Sequence, residues 1–329
     1  MQITLSVRRY NPEREPEPYQ QSYELDAPEH FTVLDALMQV REEIDGTLGL
    51  RCSCRSAICG SCAMRINGHA KLACKTRVVA LGGEGQEITV EPMGNLPVIK
   101  DLVSDMTPFW DKVRRIDPWL QTSGPPPQGE HRVSDQSMEH LVGVVNCIMC
   151  GACVSDCTVL EAELKQGMPY EKTFIAPAAL AKAYRFVADP RDANQKERLR
   201  ALSEPNGIYD CTHCFECVEV CPKGVAPMDR IIKMRDLAVE AGITNNTGAR
   251  HVKAAAASIE ASGRNYELSF YPKSVGLLNA KELIPVLPTG VALLRKAGKH
   301  IVVPHKAENA EKIKEVFKRA RARKKAGAE

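Results

Sequence analysis

Thirteen cysteines constrain this chain more than any other feature. They stand at 52, 54, 59, 62, 74, 147, 150, 153, 157, 211, 214, 217 and 221, and none follows. A secreted mini-protein with such a count would be held by disulfides. This chain has 329 residues, and within its groups most neighbouring cysteines are separated by two, three or four residues. Neighbours that close on a tight loop converge on one centre, which suits thiolate ligation of a metal cluster.

The first group reads C-S-C-R-S-A-I-C-G-S-C, with Cys74 following after eleven intervening residues. Cys54, Cys59, Cys62 and Cys74 give C-x4-C-x2-C…C, the plant-type 2Fe–2S spacing. A short loop lets backbone N–H groups face the sulfurs and stabilise negative charge. Gly60 can take the positive φ that such a loop needs. Cys52 does not fit the count; it could replace Cys54, but the x4 spacing favours Cys54 and leaves Cys52 as a small buried or loop residue.

The second group is C-I-M-C-G-A-C-V-S-D-C, residues 147–157, and the third is C-T-H-C-F-E-C-V-E-V-C-P, residues 211–222. Both are C-x2-C-x2-C-x3-C, the bacterial two-cluster pattern, in which the fourth cysteine of each run ligates the other cluster. Cys147, Cys150, Cys153 and Cys221 are therefore expected at one 4Fe–4S site. Cys211, Cys214, Cys217 and Cys157 are expected at the other. Zinc ribbons also use C-x2-C pairs, so a zinc-stabilised binding protein is the competing reading. The x2-x2-x3 rhythm occurring twice favours iron–sulfur. His69 and His213 are expected to be ordinary polar residues, because the cysteine sets are already complete.

The remaining sequence supplies supports for three such loops. ITLSV, QSYEL and EITVEP alternate like strands. FTVLDALMQVREE has helical spacing, with Thr32 as its cap. The fold class expected is α+β: an N-terminal plant-type ferredoxin (β-grasp) domain over 1–105, then a connecting helix and Pro/Gly-rich linker over 106–132. An all-α, bacterial-type two-cluster ferredoxin domain follows over 133–240, and a C-terminal helical extension over 241–329. Helices are expected at EHLVGVVNC, PAALAKAYRFVAD and MDRIIKMRDLAVEAG, and QTSGPPPQGEHR reads as a break. The two runs stand 64 residues apart, like an internal duplication enlarged by an inserted helix pair.

A net charge of +3 gives no argument for nucleic acid. No run of 18 apolar residues predicts a membrane span, and MQITLSVRRYNPE lacks signal-peptide regions. A cytoplasmic location is expected. The last nineteen residues hold eight Lys or Arg against three Glu, with Ile313, Val316, Phe317 and Ala320 at helical spacing. They read as a solvated helix with one weak packing face; contact with a partner subunit or an anionic membrane surface is the sharper alternative.

RRYNPE, SCRSAICGSCAMRINGHAKLACKT, PVIKDLV, PAALAKAYRFVADPRD and CVEVCPKG together resemble the iron–sulfur subunit of succinate dehydrogenase or fumarate reductase, over about residues 1–240. The resemblance implies a flavoprotein partner with covalent FAD and a membrane-side, quinone-reactive partner. Electrons would run from the 2Fe–2S centre through the Cys147/150/153/221 cluster to the Cys157/211/214/217 cluster. The chain would sit peripherally on the cytoplasmic face of the membrane and carry no catalytic acid or base.

Two departures from the commonest members stand out. Those members lack a cysteine at the position of Cys214 and hold a 3Fe–4S cluster there; Cys214 implies 4Fe–4S. They also follow the residue matching Cys157 with proline and tryptophans of the quinone pocket, where this chain has Thr158-Val159-Leu160-Glu161. Both departures resemble the unconventional branch with a cysteine-rich, heterodisulfide-reductase-like partner, and LPTGVALLRKAGKHIVVPHK is similar to tails of heterodisulfide reductase iron–sulfur subunits. A thiol- or heterodisulfide-linked fumarate reductase is the related alternative.

Overall fold

Strand β1 (Gln2–Arg9) sends Ile3, Leu5, Val7 and Arg9 to its buried side, as a period of two requires. It pairs antiparallel with β2 (Tyr19–Asp26), Leu5 opposite Tyr23. On its other edge it pairs parallel with β5 (Glu87–Glu91), Leu5 opposite Ile88. Beyond β5 lie β3 (Ala63–Ile66) and β4 (His69–Leu72), giving the order β2-β1-β5-β3-β4. Helix α1 (Val33–Gln39) buries Val33, Leu34, Ala36, Leu37 and Met38. Thr32 caps it in a reciprocal box with Asp35, the amides of each donating to the other's side chain at 3.2 and 2.9 Å, worth about 1 kcal/mol. The expected helix over FTVLDALMQVREE is thus present, but its end widens into a π turn, Val40–Ile44. Leu5, Leu34, Leu37, Met64, Ile66 and Ile88 are fully buried in this half, each contributing roughly 1.5–3 kcal/mol on transfer from water.

A small hairpin of β6 (Val98–Lys100) and β7 (Val103–Ser104) follows, with Asp101 at φ +46° in its turn. This is where PVIKDLV falls. Helix α2 (Thr107–Arg114) then leads to the second half. Beyond β7, every regular element among the described residues is helical. They are α3 (Asp135–Met138), α4 (Ala152–Ser155), α5 (Thr158–Lys165), α6 (Pro177–Val187), α7 (Gln195–Leu202), α8 (Glu216–Glu219) and α9 (Pro227–Glu240). Helix α6 is buried almost all round, as the axis of an all-helical core must be. EHLVGVVNC is not one helix: Gly143 at φ +83° splits it into two short 3-10 turns, Glu139–Leu141 and Val144–Asn146.

The computed structural model describes residues 1–82, 85–124, 128–276, 279–297 and 306–325. The three prolines at 125–127 of the expected linker, 298–305 of the expected tail motif, and 326–329 lie outside the described residues. The chain divides into two compact units, Met1–Leu237 and Ala238–Glu329. The second contains α10 (Thr247–Ser262), α11 (Glu267–Val275), α12 (Ala280–Leu283), α13 (Leu287–Ala297) and α14 (Ala310–Lys325). Asn246 caps α10 and Gly263, left-handed, ends it. The apolar stripe expected on α14 is narrower than its spacing suggests: Ile313 and Phe317 are half-buried, whereas Val316 is 64% exposed and Ala320 is exposed too. Among the described residues no helix is long and apolar enough to cross a membrane.

Candidate metal centre

The loop after the π turn carries Cys54 and Cys59. Arg55, Ala57 and Gly60 all have positive φ, which coils the chain so that its amides face inward. The N–H groups of Ser56, Ile58 and Cys59 each donate to Cys54 Sγ at 3.3 Å, and Ala57 N–H donates to Cys74 Sγ at 3.3 Å. Cys62 immediately precedes β3 and Cys74 follows β4. The hairpin brings them together, with Ala63 opposite Leu72 and Ala73 N–H bonded to Cys62 O at 3.1 Å. The Ser61 hydroxyl, 3.1 Å from Cys59 Sγ, and then backbone amides lower the Cys59 thiol to about 6, whereas burial pushes Cys62 up to about 12. Four sulfurs held by inward amides fit an anionic iron–sulfur group. Cys52 stands apart: its Sγ is 3.8 Å from Met38 Sδ on α1.

The two later runs are conformational twins. Met149 and Gly151 have φ of +56° and +83°; His213 and Phe215, 64 residues on, have +59° and +69°. Short helices α4 and α8 follow at the same offset. Phe215 thus occupies the left-handed position that its twin fills with glycine. One cavity of the second half is lined by Cys147, Cys150, Cys153 and Cys221 with Gly151 and Pro222. Cys221 also receives Val225 N–H at 3.3 Å. Burial pushes Cys150 up to about 11 and Cys153 well above its ordinary value, and the charges of Cys147 and Cys221 add to both. Cys157 is pushed to about 11 by burial, with Cys214 and Cys211 as its charged neighbours. Cys217 is pushed to about 12 by burial and then by Cys211, Cys157 and Cys214. Cys157 is buried and Cys214 is exposed. Among the described residues no three His, Cys, Asp or Glu side chains gather closely enough to hold one metal ion.

Several supporting residues escaped the sequence reading. Arg9, buried on β1, donates to Asp101 Oδ1 at 2.9 Å, Asp45 Oδ2 at 2.5 Å and Thr47 Oγ1 at 2.9 Å. Asp101 Oδ2 also accepts Gly49 N–H at 2.7 Å, so this network fixes both ends of the segment entering the first cysteine loop. Burial opposes the Arg9 charge, but the bonds to Asp101 and Asp45 outweigh it and raise its pKa. Its inward register after Ile3, Leu5 and Val7 was the available signal. Asp156, between Cys153 and Cys157, accepts Ala70 N–H at 2.8 Å and pairs with Arg65 at 3.3 Å. Asn95 Nδ2 donates to the carbonyls of Val154, Ser155 and Cys157 at 2.9–3.0 Å. These contacts lock the sheet onto the first run. At the third group, Arg235 donates to Cys211 O at 2.9 Å and meets His213 Nε2 at 2.7 Å.

The family described as "2Fe-2S iron-sulfur cluster binding domain" matches residues 4–111, and "4Fe-4S dicluster domain" matches 143–225. Fold and cysteine placement thus define an iron–sulfur electron carrier with a 2Fe–2S domain followed by a 4Fe–4S domain. The chain is 37% identical over 235 residues to the succinate dehydrogenase iron-sulfur subunit of Coxiella burnetii, covering 71% of this chain and 95% of that protein. It is 39% identical over 232 residues to the fumarate reductase iron-sulfur subunit of Mycobacterium tuberculosis, covering 70% and 90%. The chain belongs to this family, the iron–sulfur subunits of succinate dehydrogenase and fumarate reductase, and is an electron-transfer subunit of an oxidoreductase. A chain of the solved Mycobacterium smegmatis Sdh1 complex in the apo form shares its fold, with a TM-score of 0.67 at 24% identity, covering 74% of this chain and 98% of that one.

Proposed function

We propose that the chain passes single electrons between the FAD of a flavoprotein subunit and a membrane-side, quinone-reactive partner, through three clusters in series. Cys54, Cys59, Cys62 and Cys74 hold 2Fe–2S. Cys147, Cys150, Cys153 and Cys221 hold the first 4Fe–4S, and Cys157, Cys211, Cys214 and Cys217 the second. The observation that carries this reading is the cavity on which Cys221 joins three cysteines more than sixty residues upstream. When bound, such clusters supply one-electron redox steps without proton transfer by the protein. The chain's own residues position and insulate them: amides at Cys54 and Cys74, burial at the paired runs, Arg9 and Asn95 beneath. Succinate oxidation or fumarate reduction belongs to the flavoprotein.

Cys214 supports a reading in which the chain belongs to the unconventional branch, with a cysteine-rich, heterodisulfide-reductase-like partner docking on residues 241–329, peripheral on the cytoplasmic face. Helix α5 beginning at Thr158, with no proline or tryptophan there, favours a second reading in which the terminal acceptor is a thiol or heterodisulfide. Assay of the purified complex with quinones against thiols separates the two. Electron paramagnetic resonance tests Cys214. The oxidised, air-protected protein should lack a 3Fe–4S signal, and Cys214→Val should create one. A strong 3Fe signal in the wild type refutes the fourth ligand; zinc without iron in the purified protein refutes the whole assignment.

A further inference from the structure

The first cysteine loop lies directly on the second. Gly60, the residue after Cys59, has φ +74°, and a Cβ there would stand 2.8 Å from Cys150 Cβ, 2.9 Å from Cys150 Cα and 3.3 Å from Ile148 O. Backbone cannot yield to such a clash as a flexible side chain would. A second contact joins the same two sites: Lys75, after Cys74, donates from Nζ to the carbonyl of Pro222, after Cys221, at 3.3 Å. Both contacts are therefore one residue from a cysteine, or at the cysteine itself, on each side.

We infer that Gly60 is a positioning residue for electron transfer, letting the loop of Cys59 rest backbone to backbone on the loop of Cys150 and so setting the gap between the first two centres. This rests on the reading that Cys59 and Cys150 ligate different clusters. One electron crosses with no bond made or broken and no proton moved, so the rate depends on the gap and falls steeply as it widens. No side chain larger than hydrogen keeps the contact. A β-carbon at Gly60 pushes the loops apart by roughly the overlap it creates.

Two other glycines separate the causes. Gly68 has φ +82° with nothing within 4 Å of a Cβ, so Gly68→Ala carries the backbone penalty alone. A Cβ at Gly94 would stand 2.7 Å from Ser155 O, so Gly94→Ala strains the same domain contact away from Gly60. The experiment uses the full chain with its clusters assembled and reduced with dithionite. It measures the relaxation of the 2Fe–2S signal, which speeds up when a second paramagnetic centre is close. Gly60→Ala should slow that relaxation several-fold and slow electron flow from the first to the second centre, while Gly68→Ala and Gly94→Ala stay near wild type. A loaded Gly60→Ala protein with wild-type relaxation overturns the inference, as does an equal loss in Gly94→Ala. If Gly60→Ala sheds a cluster, Lys75→Ala takes its place; it adds no volume and should give a smaller loss of the same signal, and no change there also overturns it. A wild type without any 2Fe–2S signal would instead sink the ligand assignment beneath it.

Discussion

Three backbone amides converge on Cys54, and Cys59 on the same exposed loop is drawn down to about 6. In the paired runs burial dominates, and Cys150, Cys157 and Cys217 are pushed to between about 11 and 12. The first loop favours the thiolate at Cys59, while burial pushes its Cys62 the other way, to about 12. In the paired runs burial favours the protonated thiols of Cys150, Cys157 and Cys217. Where ligands must be deprotonated, metal binding is coupled to folding. Each half has its own core, the sheet half in Leu5, Leu37, Met64 and Ile88 and the helical half in Leu160, Leu180, Ile208 and Ile231; the loops of the paired runs lie outside that helical core and wrap around the cysteines themselves.

The largest test of this contrast is removal of iron. In chelator-stripped, reduced protein, amide hydrogen exchange should lose its protection across residues 147–157 and 211–225, while β1, β2 and β5 stay protected. Equal protection in both regions would break the comparison. Next comes ligand crossing. Cys221→Ser should remove the cluster shared with Cys147, Cys150 and Cys153, although Cys221 belongs to the later run; Cys74→Ser should remove only the 2Fe–2S visible circular dichroism. Iron content and spectra of the two variants check this, and loss of the Cys211/214/217 centre alone in Cys221→Ser would show that each run closes on itself.

A smaller effect belongs to the support under the first loop. Arg9 and Asp101 are 6% and 2% exposed in their side chains, 2.9 Å apart. Arg9→Met leaves Asp101 and Asp45 without their common partner, and breaking a buried pair from one side costs about 3–5 kcal/mol. Denaturant unfolding followed by the 2Fe–2S absorbance should show that loss, with the paired-run clusters less affected. A change under 1 kcal/mol would mean that the loop holds itself without the clamp.

What could be read in advance follows the range of each interaction. The 2Fe–2S domain followed by the 4Fe–4S domain was legible because cysteine spacing is local. Strands β1, β2 and β5 showed alternation. The hairpin AMRI–HAKL, which brings Cys62 to Cys74, did not: it is short and almost without β-branched residues. Gly143 inside EHLVGVVNC was a visible breaker outweighed by apolar spacing. The locks made by Asn95 and Asp156 were hidden, since most of their partners are backbone groups that every residue carries.

The finest test concerns a charge buried between the two halves. Lys112 on α2 is 3% exposed and donates to Thr173 O at 3.1 Å, Thr173 Oγ1 at 2.8 Å and Phe174 O at 2.7 Å, with the Tyr170 ring centre 4.7 Å away. Burial, helped by Arg115, lowers it from 10.5 to about 8, against the pull of Glu163, Cys157 and Glu171. The folded chain therefore releases this proton earlier than the unfolded one. Between about pH 8 and 10.5 the unfolded state binds more protons, so this group makes stability rise with pH, and its contribution is lost as pH falls through 8. Lys112→Met removes the slope. Relative to the variant, the wild type should gain up to about 3 kcal/mol across that window, read from denaturant unfolding at successive pH values. Parallel profiles for the two proteins would mean that the ammonium keeps its ordinary pKa, and that this contact between the halves is as well solvated as the first cysteine loop.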